Sequence, residues 1–247
     1  MMACGRTSSR LLKSELTRAL ADPDWEAELE AMLQSHPPRR LVSPLFSLLL
    51  SSESALKWHA VTAFGQTVDR LAGANLEAAR IVMRRFMWTL TDESGGIGWG
   101  SPEAMAEIMA CHSKLADEYH AVFMSYILER KGPDNFLEYA PLREGAYWGA
   151  ARLAQSRRDL ISPYRDWLGH SLLGEEPPQS LGYLCLAFSF LTLDSRLLKD
   201  RLLELSARGE PLSIYFNRRF QQTTLSKLAN QALSPSTVQT AQDSPRG

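Results

Sequence analysis

The sequence predicts an all-α fold in which roughly twelve short helices stack as antiparallel pairs into a superhelical solenoid. Apolar residues recur at the three- and four-residue spacing of amphipathic helices, as in the segment from Trp25 to Leu33, and convincing two-residue alternation is missing. Glycine, proline and cap residues divide the chain into segments of about 10–18 residues. Short helices with short connections pack as antiparallel neighbours. Similar stretches also recur at intervals of roughly 40 residues, which is typical of stacked helix pairs.

Start and stop signals bound each predicted helix. Ser101-Pro102-Glu103 is the strongest start, because serine accepts free amide N–H groups, proline fits the first helical position and glutamate complements the helix dipole. In the first half, helices are predicted over about 10–21, 25–33, 37–50, 53–71 and 76–90. In the second half, they are predicted over about 101–112, 114–131, 142–155, 163–173, 178–193, 195–207 and 212–232.

The last predicted helix, 212–232, is expected to cap the stack. A terminal helix of a solenoid needs one apolar and one polar face. This segment mixes aromatic and basic residues, namely Tyr215, Phe216, Arg218, Arg219 and Phe220. We assign residues 1–233 to a single helical repeat domain. Residues 234–247 are rich in small and polar residues and lack a hydrophobic face, so we expect a disordered tail.

Composition narrows the class of protein. The 247 residues carry 27 basic and 28 acidic side chains, and this net charge of −1 argues against a generic polyanion binder. The three cysteines, Cys4, Cys111 and Cys185, form neither a disulfide framework nor a zinc pattern, which suits a reducing cytoplasm. No signal peptide is visible. The apolar segment from Leu181 to Leu193 is too short to cross a membrane, so we expect a buried helix and a cytoplasmic protein.

The repeated stretches are best seen at Trp58 to Gly65, where small residues and one large apolar residue follow an aromatic. Similar stretches begin at Trp99, Tyr147 and Gly182, with spacings of 41, 48 and 35 residues. This pattern resembles the second helix of HEAT repeats. The whole chain, and above all the segment DESGGIGWGSPEAM from Asp92 to Met105, resembles an uncharacterised bacterial family of HEAT-like repeat proteins. The resemblance implies a HEAT-like α-α superhelix and brings no activity with it.

The loop 92–100 is the most unusual segment. Glycines at 95, 96, 98 and 100 permit positive φ and close backbone approach. The pattern is not a phosphate-binding loop, because no strand precedes it and no lysine follows it. As an irregular turn between repeats, it would pack Trp99 under a neighbouring repeat, and Asp92 and Glu93 would cap amides or pair with Arg84 and Arg85. As a binding loop on a rigid scaffold, it would present the same side chains to a ligand.

Two further sets of residues could carry chemistry. Glu103, Glu107 and Cys111 lie one helical turn apart on one face and are possible metal ligands, but no metal motif accompanies them, which favours solvated glutamates and a buried thiol. Trp148 and Arg152 lie four residues apart and could stack on a base or a planar ligand. The alternative is a core tryptophan with an arginine stem packed against it.

We therefore expect a binding or scaffolding protein that recognises a protein or peptide partner, with no catalytic residue, cofactor or metal. The candidate ligand-binding residues are Asp92, Glu93, Trp99, Glu103, Glu107, Trp148 and Arg152. An alternative is nucleic-acid binding of the kind found in HEAT-like DNA glycosylases, where Trp99 or Trp148 with Asp92 would imitate the centre of the groove. The net charge argues against nucleic acid, and no membrane association is expected.

Overall fold

The computed structural model describes residues 9–91, 98–129 and 135–234, and it confirms an all-α solenoid. Within these residues the first seven helices are α1 (Ser9–Ala21), α2 (Trp25–Ser35), α3 (Pro38–Leu48), α4 (Ser54–Ala74), α5 (Leu76–Thr91), α6 (Ser101–Cys111) and α7 (Ser113–Ser125). They are followed by α8 (Ala140–Ser156), the single turn α9 (Arg158–Ile161), α10 (Arg165–Gly174), α11 (Pro178–Phe188), α12 (Arg196–Ser206) and α13 (Leu225–Leu233). The predicted number of helices, roughly twelve, is confirmed.

Five helices form a central layer in which each packs against the next: α4, α6, α8, α11 and α13. Other helices flank this layer, with α3 on α4, α7 on α6, α10 on α11 and α12 on α13. The similar stretches found in the sequence fall in α4, α6, α8 and α11. The stretch of α6 begins at Trp99, two residues before the helix. The recurring small residues therefore belong to the helices that stack on one another.

Glycines bring neighbouring helices of the central layer close together. A Cβ atom on Gly149 of α8 would lie 2.7 Å from Ala106 Cβ of α6 and 2.5 Å from a ring carbon of Phe123. A Cβ on Gly65 of α4 would lie 2.8 Å from Glu107 Cγ. Such distances leave no room for a side chain, so glycine at these positions sets how near the helices can approach.

Helix α6 begins at Ser101 as predicted, but serine is not its cap. Gly100 occupies the cap position with φ of 74°, a left-handed conformation that favours glycine. The Ser101 hydroxyl instead lies 3.0 Å from the Thr89 hydroxyl of α5. The loop backbone closes on itself, because Ser101 N donates to Gly98 O over 2.9 Å. The end of the glycine-rich loop is thus held against α5.

The predicted helix over 212–232 is wrong, because residues 211–224 form a β-hairpin. Strand β1 (Pro211–Phe216) pairs antiparallel with β2 (Arg219–Thr224), and Phe216 lies opposite Arg219. Asn217 and Arg218 form a two-residue turn with φ of 51° and 63°, as in a type I′ turn. Only α13 remains of the predicted cap helix. The chain takes the extended form here because β1 is buried against the central layer, whereas β2 stays largely exposed.

Two predicted helices are also shorter than expected. Helix α7 ends at Ser125 and α11 ends at Phe188, whereas we predicted 114–131 and 178–193. Among the described helices, none combines the length and the apolarity needed to cross a membrane. Most of the apolar segment from Leu181 to Leu193 is buried, as expected.

Candidate functional site

The β-hairpin lies across one face of the central layer, and Tyr215 anchors it there. The Tyr215 ring stacks on the Trp58 ring of α4, with centroids 5.1 Å apart and an interplanar angle of 17°. Its hydroxyl lies 3.0 Å from Thr62 Oγ1, also on α4. Burial raises the pKa of Tyr215 to about 12, so the hydroxyl stays protonated near neutral pH. The Trp148 ring of α8 packs on Trp58 with centroids 4.8 Å apart, which completes an aromatic cluster.

Side chains of the central layer also hold the backbone of β1. Trp148 Nε1 donates to Tyr215 O over 2.6 Å, and Gln179 Nε2 of α11 donates to Ser213 O over 3.3 Å. Alternate carbonyls of a strand point to the same side, and β2 takes the opposite edge of β1. One edge of β1 is thus bound by β2, and the other edge is bound by side chains from α8 and α11, which are neighbours in the central layer.

The tip of the hairpin reaches the N-terminal helices. Arg218 Nη1 contacts Glu26 Oε2 of α2 at 2.6 Å, and Gln155 Nε2 of α8 donates to Asn217 Oδ1 over 3.0 Å. A cavity of about 240 Å³, here called the tip cavity, lies under this turn. Its polar lining consists of Thr62, Glu107, Arg152, Gln155, Asn217 and Arg218.

Glu107 and Arg152 form an ion pair between α6 and α8 at the tip cavity. Arg152 Nε and Nη2 lie 2.7 and 3.3 Å from the two carboxylate oxygens of Glu107, which is a two-pronged contact. Glu107 is 4% exposed and packs against Gly65. The expectation of a solvated glutamate is therefore wrong for Glu107. The Cys111 thiol lies 3.7 Å from Glu107 Oε1, and its burial raises the pKa of the thiol to about 12.

Glu103 is buried one turn before Glu107 on α6 and pairs with a residue of α4, whereas Glu107 pairs with a residue of α8. Lys57 Nζ of α4 lies 2.8 Å from Glu103 Oε1 and 5.3 Å from the centre of the Trp58 ring. Glu103 is 4% exposed and fits only because Gly145 of α8 has no side chain, since a Cβ there would lie 2.6 Å from Glu103 Oε2. Glu103 is not a solvated glutamate either. Together, Glu103 and Glu107 link α6 to both of its neighbours.

A second cavity of about 350 Å³, here called the site cavity, borders β1 at Ser213 and shares Trp148 with the tip cavity. Three tryptophans and a tyrosine contribute to its wall, together with two carboxylates and one lysine. The side chains used below are Lys57, Trp58, Trp99, Glu103, Glu144, Trp148 and Tyr183. The cavity opens between α4, α6, α8 and α11, beside Ser213 of the hairpin.

Glu144 is the acidic group of the site cavity for which the described part of the chain supplies no partner. Its carboxylate makes no hydrogen bond and no ion pair with any residue in 9–91, 98–129 or 135–234. Burial raises the pKa of the Glu144 carboxyl, and the charges of Glu103 and Glu175 raise it further, whereas Lys57 lowers it. The negative charge of Glu144 is therefore only partly compensated by Lys57, which is already paired with Glu103.

The structure brings the described candidate residues into two adjacent groups. Trp99 and Glu103 line the site cavity, Glu107 and Arg152 line the tip cavity, and Trp148 borders both. Trp99 is 45% exposed, so it does not pack under a neighbouring repeat. Trp148 is buried, as expected for a core tryptophan. Asp92 and Glu93 lie outside the described residues. No group of three potential metal ligands occurs within the described parts of the chain.

Sequence reasoning missed two residues of the site cavity, Glu144 and Tyr183, and the pairing of Lys57. Glu144 is next to Gly145, and that glycine is the only local signal that a neighbouring helix comes close. Tyr183 directly follows Gly182, where one of the similar stretches begins, and nothing in that pattern indicates a cavity wall. The burial of the Tyr183 hydroxyl raises its pKa, so Tyr183 offers a neutral donor there.

Comparisons with known proteins identify the fold and no family. No family model and no curated protein matches the chain. Among solved structures, the chain is similar to a designed armadillo repeat protein (15% identity, 92% of each chain covered, TM-score 0.52). It is also similar to an engineered protein (12% identity, 95% of this chain and 94% of that chain covered, TM-score 0.54). A third match is a structure of computationally designed armadillo repeat proteins for modular peptide recognition (16% identity, 92% of each chain covered, TM-score 0.50). The chain is thus a helical repeat protein.

Proposed function

We propose that this chain is a repeat scaffold that binds an extended segment of a protein or peptide partner on its central layer. The observation that carries the proposal is the seating of β1, in which side chains from α8 and α11 hold alternate backbone carbonyls, Tyr215 O and Ser213 O. Both donors are engaged by β1, so they serve the hairpin and not a partner. What they support is that this layer accommodates extended backbone, which is the form a bound peptide takes. A structural neighbour described as designed for modular peptide recognition supports the same use of the fold.

The site cavity is the open part of this surface in our proposal. The hairpin fills its own track, because Leu212, Ile214 and Phe216 are nearly fully buried. Burying each such side chain is worth about 1.5–3 kcal/mol, so a partner would not readily displace β1. A partner segment would instead lie beside Ser213 and contact Trp99, which is exposed, and Trp148, which forms the floor.

The other candidate residues have a supporting role in this proposal. Glu107 and Arg152 hold α6 against α8 and border the hairpin tip. Nucleic acid is disfavoured as the ligand, because Glu103 and Glu144 in the site cavity would repel phosphate. The proposal also includes two further points. The chain would belong to the HEAT-like bacterial family that the segment from Asp92 to Met105 resembles, and it would be cytoplasmic, a location that suits the free thiols Cys111 and Cys185.

The experiment is a selection of linear peptides from a random phage-displayed library on the folded protein. Selected peptides are synthesised, and their Kd is measured for wild type, Trp99→Ala and Trp88→Ala. Trp88 is the matched control, because it is an exposed tryptophan of α5 that does not line the site cavity. We expect Trp99→Ala to weaken binding at least tenfold, which is about 1.4 kcal/mol, because tryptophan is enriched among the residues that dominate binding energy. We expect Trp88→Ala to leave binding unchanged.

Two outcomes would contradict the proposed function. One is a selection in which no peptide is enriched over a selection without protein. The other is an equal loss of binding in the two variants, which would place the peptides elsewhere. Thermal unfolding of each variant shows that it is folded before its Kd is interpreted.

A further inference from the structure

We propose that the site cavity receives a cationic side chain, lysine or arginine, from the partner segment. This inference rests on the proposed function and names the chemistry that the partner must carry. Three properties of the cavity support it: the charges of its lining, its aromatic walls and its size.

The charge balance of the described lining leaves room for one positive charge. One lysine and two glutamates line the cavity, which gives a formal charge of −1. Lys57 already compensates Glu103 through Oε1, and among the described residues Glu103 Oε2 has no hydrogen-bond donor. Glu144 has no partner within the same described ranges. A guanidinium or ammonium group between Glu103 Oε2 and Glu144 would satisfy both acceptors.

The aromatic walls suit the apolar stem and the charge of such a side chain. Trp58, Trp99, Trp148 and Tyr183 all line the cavity, and the faces of such rings attract cations. Lys57 already uses one of them, since its Nζ lies 5.3 Å from the centre of the Trp58 ring. The centre of the Trp99 ring lies 6.4 Å from that of the Tyr139 ring, and Trp99 is still 45% exposed, so an incoming stem can pack on its exposed part. An aspartate or glutamate side chain would meet two carboxylates here, and Lys57 is already paired with Glu103.

The size of the cavity favours a single side chain over a larger ligand. Its volume of about 350 Å³ lies at the lower end of ligand pockets, which span roughly 300–1,000 Å³. The cavity is partly open to solvent and has Ser213 of the hairpin in its lining, so the backbone that carries the side chain can remain outside the cavity. A peptide segment therefore fits better than a free planar cofactor.

The test uses four fluorescein-labelled peptides of eight residues, in which serine alternates with lysine, arginine, glutamine or glutamate. Their binding is measured by fluorescence polarisation at low salt with wild type, Glu144→Gln and the control Trp88→Ala. Glu144→Gln removes the charge of the Glu144 carboxylate and keeps the shape of the side chain. We expect the lysine and arginine peptides to bind at least tenfold more tightly than the glutamine peptide. We expect Glu144→Gln to abolish most of that preference and Trp88→Ala to leave it intact.

The possible results separate this inference from the proposed function. If library-selected peptides bind through Trp99 but show no preference for basic residues, the cation inference is overturned and the scaffold function stands. Equal binding of the glutamine and lysine peptides, or an unchanged preference in Glu144→Gln, overturns it in the same way. Spermidine serves as a free cation. If spermidine displaces the peptide at a spermidine concentration equal to or below the Kd of the peptide, the assignment of the cavity to a peptide side chain is refuted. If no peptide binds, both proposals fail.

Discussion

Replacing Arg152 with methionine tests whether the Glu107–Arg152 pair holds α6 against α8. The variant leaves the Glu107 carboxylate, whose side chain is 6% exposed, without its two-pronged partner. Removing one member of a fully buried pair costs about 3–5 kcal/mol. Because the Arg152 side chain is 22% exposed and water can reach the vacated position, we expect a smaller loss of about 2–4 kcal/mol in the free energy of unfolding.

The double variant Glu107→Met with Arg152→Met provides the control. Methionine keeps an unbranched stem that suits the narrow space beside Gly65, and replacing both charges of a buried pair is often close to neutral. Urea denaturation followed by circular dichroism gives the free energy of unfolding for wild type, both single variants and the double variant. A loss below about 1 kcal/mol in Arg152→Met, or a double variant whose loss equals the sum of the two single losses, would refute the account of this pair.

Three further changes probe the packing around the site. Gly145→Ala would place a Cβ 2.6 Å from Glu103 Oε2 and should cost about 1–3 kcal/mol. At Gly73 a Cβ would meet no atom of the described residues within 4 Å, so Gly73→Ala should stabilise the helix by about 0.5–1 kcal/mol. Equal melting temperatures of the two variants would contradict this. Tyr215→Phe should lose about 1 kcal/mol with its hydroxyl hydrogen bond, and Tyr215→Ala about 3–5 kcal/mol; a fully stable alanine variant would show that the hairpin is not anchored there. The pKa of the Glu144 carboxyl is raised, so the folded state is favoured by its protonation and loses that stability as pH rises through the raised pKa. Glu144→Gln should therefore be more stable than wild type at pH 7 and no more stable below pH 4.5, the ordinary value for glutamate; urea denaturation at both pH values decides this.

The helices of the central layer could be predicted because their signals are local. Trp58 to Gly65 has the spacing of a helix whose small residues face a neighbour, and α4 uses it in that way. The start of α6 at Ser101 was also correct, since proline at the next position fits only the first turn. These signals depend on residues within one or two helical turns of each other.

The hairpin and the cavities depend on contacts that are distant in sequence. Strand β2 carries mostly polar residues, and the turn uses Asn217-Arg218 where asparagine-glycine is the usual signal. What keeps Tyr215 extended is Trp58 and Trp148, which lie in other helices. The spacing of Glu103 and Glu107 placed them on one face of a helix, but nothing local showed that glycines of α4 and α8 would bury them.

Fluorine NMR of the protein labelled with fluorotryptophan tests the central claim most directly. The chain has six tryptophans, and the variants Trp99→Phe and Trp88→Phe assign two resonances. We expect titration with a selected peptide to shift the Trp99 resonance and to leave that of Trp88 in place, because only Trp99 of the two lines the site cavity. A saturable shift of the Trp88 resonance with Trp99 unmoved would place the partner on another face of the solenoid and contradict the account.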